Sequence, residues 1–377
     1  MSRTFISLAA ALTMTTAAAL TGAAAAQQPR LSNGRVTAQP VTALPQAFQA
    51  AVAAAADTRW IGYSVPVVDG ERTMCCFDSG TTFINGTIRT DGRTCCMCTI
   101  EPSGDGTMMM SRTQPAPQPG GAIKLEGPDT MVVLFRVVNR QVERIRVFSE
   151  DCQLDAGGRE VVWLTGVRPA ESVALLETFA TAPPGADRRD RVQDGAITAI
   201  ALHRDAAADA SLERLLAPSQ SQYVRSKVPF WLGNARGRRG FELLRRVVRE
   251  DPSVDVKKKA VFGLSQSQQA EAVDELIDNA RNNTETGVRG EAIFWLAQKA
   301  GSKAAAAITE RIEQDPDTEV KKRAVFALSQ LPRDEGVPLL IRVARTHSNP
   351  AVKKQAMFWL GQSRDPRALE FFTEILK

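Results

Sequence analysis

Along the second half of the chain the apolar positions follow one pattern that returns every 32 residues. With a leading Val as position zero, VRSKVPFWLGN, VKKKAVFGLSQ, VRGEAIFWLAQ, VKKRAVFALSQ and VKKQAMFWLGQ begin at Val224, Val256, Val288, Val320 and Val352. A weaker copy, VQDGAITAIAL, begins at Val192. The Val, the small residue at +4 and the Leu at +8 share one face of a helix, so each copy predicts a first helix. Ser253, Asp317 and Asn349 stand three residues before the Val and predict its N-cap, with Pro350 in the first helical turn. A second helix follows about a dozen residues later. Leu244, Leu276, Ile308, Leu340 and Phe372 share one position of it, and Val248, Ala280, Ile312, Ala344 and Leu376 another. A lone helix pair cannot bury two apolar faces, so the pattern predicts pairs stacked into an array with one continuous core.

The sequence Val-[Lys/Arg]-x-x-Ala-x-x-x-Leu followed by a second short helix resembles the HEAT repeats, in the short bacterial form also seen in phycobilisome-lyase-like proteins. The resemblance covers about Arg188 to Lys377. It implies an all-α HEAT-type solenoid of about six helix pairs over 188–377, with starts near 192, 224, 256, 288, 320 and 352. It implies no single activity, because that solenoid carries scaffolds, lyases and glycosylases. HEAT-type di-iron hydroxylases place His-Glu pairs on their repeats, and no His-Glu dipeptide occurs here. The N-terminal half, with DCQLDAGG and VVWLTGV, resembles exported bacterial proteins that carry HEAT repeats behind a Cys-containing domain.

Four positions in the first helix carry further information. At 100° per residue, 0, +4, +7 and +8 point into the array, while +6 lies well away from them. That outer site is Phe230, Phe262, Phe294, Phe326 and Phe358. Two readings stand: rings packed flat against their neighbours, or an aromatic ridge that docks a partner. The +7 site alternates Trp231, Gly263, Trp295, Ala327, Trp359, which predicts indoles facing small residues in the core. The +10 site, Asn234, Gln266, Gln298, Gln330 and Gln362, predicts an amide row. The basic pairs Lys257-Lys258, Lys321-Lys322 and Lys353-Lys354, with Arg225 and Arg289, form a row after the Val that predicts ion pairs with Asp255, Asp315, Asp317 and Glu319, or else a site for an acidic partner or anionic surface.

The first half patterns differently. The opening MSRTFISLAAALTMTTAAALTGAAAAQQPR has an early Arg, an apolar run and small residues, and reads as a signal peptide over 1–26. An Ala-, Gln- and Pro-rich stretch, 27–56, reads as a low-complexity linker or a poorly packed helix. A strand-forming stretch at 60–77 broken at Asp69-Gly70, alternating runs at 131–138 and 142–148 joined at Asn139-Arg140, and a third run at 161–164 after Asp155-Ala156-Gly157-Gly158 predict a small β-rich domain over 57–175. The fold class is α+β overall.

The net charge of +5 is mild and interspersed, unlike the clustered footprint of a nucleic-acid binder. No stretch after the leader reaches about 18 apolar residues, so the mature chain is expected without an integral membrane segment. Cys75, Cys76, Cys95, Cys96, Cys98 and Cys152 are six in an exported chain and read first as disulfides. A second reading takes Cys75, Cys76, Cys95, Cys96 and Cys98 as soft ligands for copper or zinc, or as redox thiols. His203 and His347 read as surface or cap residues, and no catalytic constellation, phosphate loop or H-E-x-x-H motif is found. The expectation is therefore a periplasmic or secreted scaffold, not an enzyme and without a cofactor, that binds a protein or peptide through the Phe ridge or the concave second-helix face.

Overall fold

The computed structural model describes residues 30–69, 98–101, 129–183 and 189–377. The expected signal peptide and Cys75, Cys76, Cys95 and Cys96 lie outside them. The chain runs β1 (Leu31–Ser32), β2 (Arg35–Pro40), α1 (Leu44–Ala53), β3 (Arg59–Pro66), β4 (Cys98–Thr99), β5 (Thr130–Val138), β6 (Gln141–Ser149), β7 (Leu154–Asp155), β8 (Glu160–Thr165) and α2 (Pro169–Thr181). Six helix pairs follow: α3 (Arg189–Leu202) with α4 (Ala206–Leu215), α5 (Gln222–Ala235) with α6 (Gly237–Glu250), and α7 (Val254–Gln266) with α8 (Ala272–Asn282). Then come α9 (Thr286–Ala300) with α10 (Ala305–Gln314), α11 (Thr318–Ser329) with α12 (Arg333–Thr346), and α13 (Pro350–Ser363) with α14 (Pro366–Ile375).

Five strands form a mixed sheet in the order β2-β8-β3-β5-β6, parallel across β2, β8 and β3 and antiparallel from β3 to β6. The β5–β6 hairpin turns at Asn139 and Arg140, whose φ of 50° and 59° suit a two-residue turn matching the strand twist. Both faces of this sheet are covered, which is why TMVVLFRVV is almost wholly apolar instead of alternating. One face, with Tyr63, Val133, Phe135 and Leu164, meets the helices; the other buries Trp60, Leu134 and Trp163 with Ile100, Cys152 and Leu154.

The stretch 27–56 is not a linker from Arg30 onward. Its Arg35–Pro40 segment pairs with β8 along six residues, and α1 buries Leu44, Phe48 and Ala51 in the main core. The Ala-rich stretch holds a helix whose buried residues, at 44, 48 and 51, share one face. Nor do the sheet and the array have separate cores, since one cluster runs from Leu44 to Phe371. The joint is α3 on β6, where a Cβ on Gly195 would come within 2.3 Å of the Ile145 carbonyl oxygen.

Within the array, the first helices stack on one another in sequence order, and the predicted caps are in place. Ser253 accepts from the Val256 amide, Asp317 from Glu319 and Val320, and Asn349 from Ala351. The second-helix positions from Leu244 to Leu340 are buried, whereas Leu376 is exposed, because no described element packs on that side of α14. Helices α5 and α7 touch backbone to backbone: a Cβ on Gly233 would sit 2.1 Å from the Gly263 carbonyl oxygen.

The row after the Val resolves into two kinds of contact. Arg225 and Arg289 are buried and make forked bonds to Asp251 and Asp315, at 2.9 and 3.3 Å and at 2.8 and 3.1 Å. Each guanidinium also reaches loop carbonyls, of Pro218 and Gln220 in one case and of Asn283 and Thr284 in the other. Asp251 and Asp315 in turn accept from the amides of Ser253 and Asp317, so one ion pair fixes two interhelix loops. Of the expected acids, Asp315 takes this role, Asp317 is a cap, and Asp255 and Glu319 pair within their own helices with Lys258 and Lys322. Asp251 was not foreseen. Arg289→Ala strands a buried carboxylate and is expected to cost about 3–5 kcal/mol, against less than about 1 kcal/mol for Arg345→Ala at the exposed Arg345–Glu374 pair. Urea unfolding of the two variants measures the difference.

Candidate functional site

The five ridge phenylalanines stand on one side of the array and are joined by the three tryptophans into a single run of rings. Phe230 meets Trp231 edge-on at 5.0 Å and stacks on Phe262 at 6.0 Å; Phe262 meets Trp295 at 4.5 Å. Trp295 meets Phe294 at 4.9 Å, Phe294 stacks on Phe326 at 5.9 Å with the planes 5° apart, and Phe326 meets Trp359 at 4.8 Å. Phe358 closes the run against Trp359 at 5.0 Å. Centroid spacings of this kind suit offset and edge-to-face pairs, each worth about 0.5–1.5 kcal/mol beyond burial.

The rings combine packing with partial exposure. They pack against their neighbours, yet none is buried: seven are half-buried and Phe358 is 53% exposed. The tryptophans are half-buried and pack against the edge of the core, not inside it. At 100° per residue +7 lies on the border of the inward face, and the indole turns outward onto the Phe of the preceding repeat. The small residues at that site serve the backbone instead, as the contact of Gly263 with Gly233 requires. The amide row is also absent as a row. Asn234 donates to the Phe230 carbonyl at 2.8 Å, and Gln266 and Gln330 donate to Ser265 and Ser329, all within one repeat.

Charge separates the two faces of the array. Every first helix from α5 to α13 carries net positive charge, whereas the second helices from α6 to α14 sum to zero. The second-helix charges are bonded across neighbours: Arg214 to Glu177, Arg239 and Arg246 to Glu213, Arg245 to Glu275, Arg281 to Glu310 and Arg345 to Glu374. A partner on that face would have to displace ion pairs. On the aromatic face, Lys259, Arg323 and Lys354 make no ion pair among the described residues.

His203 is not at the surface; it is fully buried, as are Ser172 and Tyr63. It ends up inside because Val67 and His203 form a bridge that carries the end of α3 under the sheet. Its Nδ1 lies 2.6 Å from the Ala199 carbonyl, which can only accept, so Nδ1 bears the proton and Nε2 accepts from Ser172 at 2.8 Å. Ser172 has then spent its proton, and the Tyr63 hydroxyl, 2.8 Å away, donates to it. Burial pushes the Tyr63 phenol well up and the His203 imidazole down to about 4. The trio is a sealed relay between β3, α2 and α3. His347, 3% exposed, is a cap: Nδ1 accepts from the Asn349 amide at 3.0 Å and Nε2 donates to the Ile312 carbonyl at 3.1 Å.

Of the six cysteines, Cys152 is buried in the second core, and for Cys98 the backbone alone is described, in β4 beside β7. The other four lie outside the described residues. Among the described residues no three His, Cys, Asp or Glu converge, and no helix is long and apolar enough to cross a membrane.

Residues 209–297 and 305–377 match the family model for HEAT repeats, and the helical half of the chain is a HEAT-repeat solenoid. No curated protein matches the chain. Similar solved structures include human deoxyhypusine hydroxylase in complex with glycerol, 14% identical with a TM-score of 0.29, covering 55% of this chain and 90% of that one. The CpcE–CpcF phycocyanin lyase of Nostoc sp. PCC7120 is 17% identical with a TM-score of 0.32, covering 45% of this chain and 70% of that one. An engineered protein is 22% identical with a TM-score of 0.28, covering 56% of this chain and 93% of that one. None of them bears on activity.

The relay sets a pH dependence. A histidine held neutral at about 4 when folded, against 6.5 when unfolded, favours the fold fully above pH 6.5. That contribution is lost as the pH falls from 6.5 to 4, up to about 3 kcal/mol. Urea midpoints at pH 7.5 and 4.5 measure the loss, and His203→Gln is expected to flatten it.

Proposed function

We propose that the chain is an exported interaction scaffold that binds a protein or peptide partner along the aromatic face of its solenoid, and that it is not an enzyme. The observation that carries this reading is the run of eight contacting, part-exposed rings on five successive first helices. Aromatic side chains supply contact area at small entropic cost and dominate binding hot spots. Here they are already ordered by one another before a partner arrives, which lowers the cost of association. The opposite face, neutral and bonded to itself, offers no comparable anchor. Export is supported by the leader-like N-terminus and by six cysteines that suit an oxidising compartment, of which Cys152 is buried.

Capture from an envelope extract tests the reading. Changing Phe262, Phe294 and Phe326 together to Ser is expected to leave a folded array that retains its helical circular dichroism and loses about tenfold or more of its captured partner. Phe358→Ser, at the most exposed ring, is expected to change stability by less than about 1 kcal/mol and still weaken capture. Undiminished capture by both variants refutes the assignment.

A further inference from the structure

The ring run repeats every two helix pairs, and its two full copies differ in the side chains around one junction. Residues 64 apart correspond, with the Phe262–Trp295 pair at 4.5 Å and 38° matched by Phe326–Trp359 at 4.8 Å and 40°. Ser265 donates to the Phe262 carbonyl at 2.7 Å and Ser329 to the Phe326 carbonyl at 2.6 Å. Rings and last helical turns therefore correspond at the α7–α9 and α11–α13 junctions, although α12 begins at Arg333, one turn earlier than α8 does at Ala272.

At the first junction Lys299 reaches back from the end of α9 and donates from Nζ to the carbonyls of Ser265 and Ser267, at 2.9 and 2.7 Å. These oxygens end α7, where the helix dipole is negative and carbonyls lack helical partners. The residue 64 positions after Lys299 is Ser363, too short to reach back. At that second junction a cavity of about 250 Å³ opens, lined by Ser329, Leu331, Arg333, Trp359 and Ser363 among others. Since a water occupies roughly 30 Å³ of liquid, a four-carbon stem and its ammonium fit. The Ser329 and Leu331 carbonyls correspond to the two that Lys299 bonds, and among the described residues neither accepts a hydrogen bond. The Trp359 indole N–H is also buried without a partner, whereas Trp295 donates to Glu291 at 2.7 Å; Gln355 stands where Glu291 does.

We propose that this cavity binds a lysine side chain presented by a partner protein, its ammonium donating to the Ser329 and Leu331 carbonyls as Lys299 does one double repeat earlier. A carbonyl oxygen of the same partner accepts from the Trp359 indole. The assignment deepens the scaffold reading and rests on it for the source of the lysine. Arg333 replaces Gln269 of the first junction and opposes the incoming charge, while Asp365, which feels both Arg333 and Arg367, offsets it.

Calorimetric titration of the full chain with Nα-acetyl-lysine amide, and with its norleucine counterpart, tests the site without any partner. One binding event per chain is expected for the lysine derivative and none for norleucine. Ser363→Lys, which supplies its own ammonium, is expected to weaken binding about tenfold or more, and Arg333→Gln to tighten it severalfold. Lys299→Ser is expected to raise the stoichiometry to two, and this arm stands even if Ser363→Lys fails to fold. No heat with the lysine derivative, equal heat with norleucine, or a stoichiometry that stays at one overturns the proposal. If the lysine derivative fails while Phe358→Ser still releases the captured partner, the cavity assignment falls and the scaffold reading survives.

Discussion

Each first helix from α5 to α11 is covered on two sides at once, by the first helices before and after it. Val256, Ala260 and Leu264 lie at zero exposure because α5 stands on one side of them and α9 on the other. Close stacking of this kind holds the spacing of the helices nearly constant, and the rings outside inherit that spacing. The aromatic run is thus a consequence of core packing, transmitted to the surface by the 32-residue register.

The same packing joins the two halves of the chain. Gly195 lets α3 lie directly on the edge strand β6, so the sheet acts as the first layer of the stack. The buried trio of Tyr63, Ser172 and His203 sits at this joint with each proton committed. Polar groups so placed specify one arrangement of strand and helices, because any slip would leave a buried donor or acceptor alone.

The repeats, their caps and the β5–β6 hairpin were legible in the sequence because each rests on local rules: face periodicity, an oxygen before a helix, a two-residue turn. What could not be read depended on partners distant along the chain. The stretch around Phe48 resembles a linker until the sheet that covers it is known. The tryptophans at +7 sit on the border of the helix face, where the angle alone does not decide between core and surface, and the neighbouring Phe decides it. His203 gave no signal because its partner, Ser172, lies on another helix. Asp251 and Asp315 were within reach of sequence reasoning, since together with Asn283 and His347 they recur every 32 residues just ahead of the first-helix caps.

The alternation of Phe-Trp copies with Phe-Gly and Phe-Ala copies gives the solenoid a parity. Between repeats, a ring of one kind finds its mate only on the other kind, so the true unit of the surface is 64 residues although the unit of the core is 32. Loss or duplication of a single repeat would leave the dry interior continuous yet set like against like outside. Such arrays can change length by any number of steps and keep their fold, but only by even steps and keep their face.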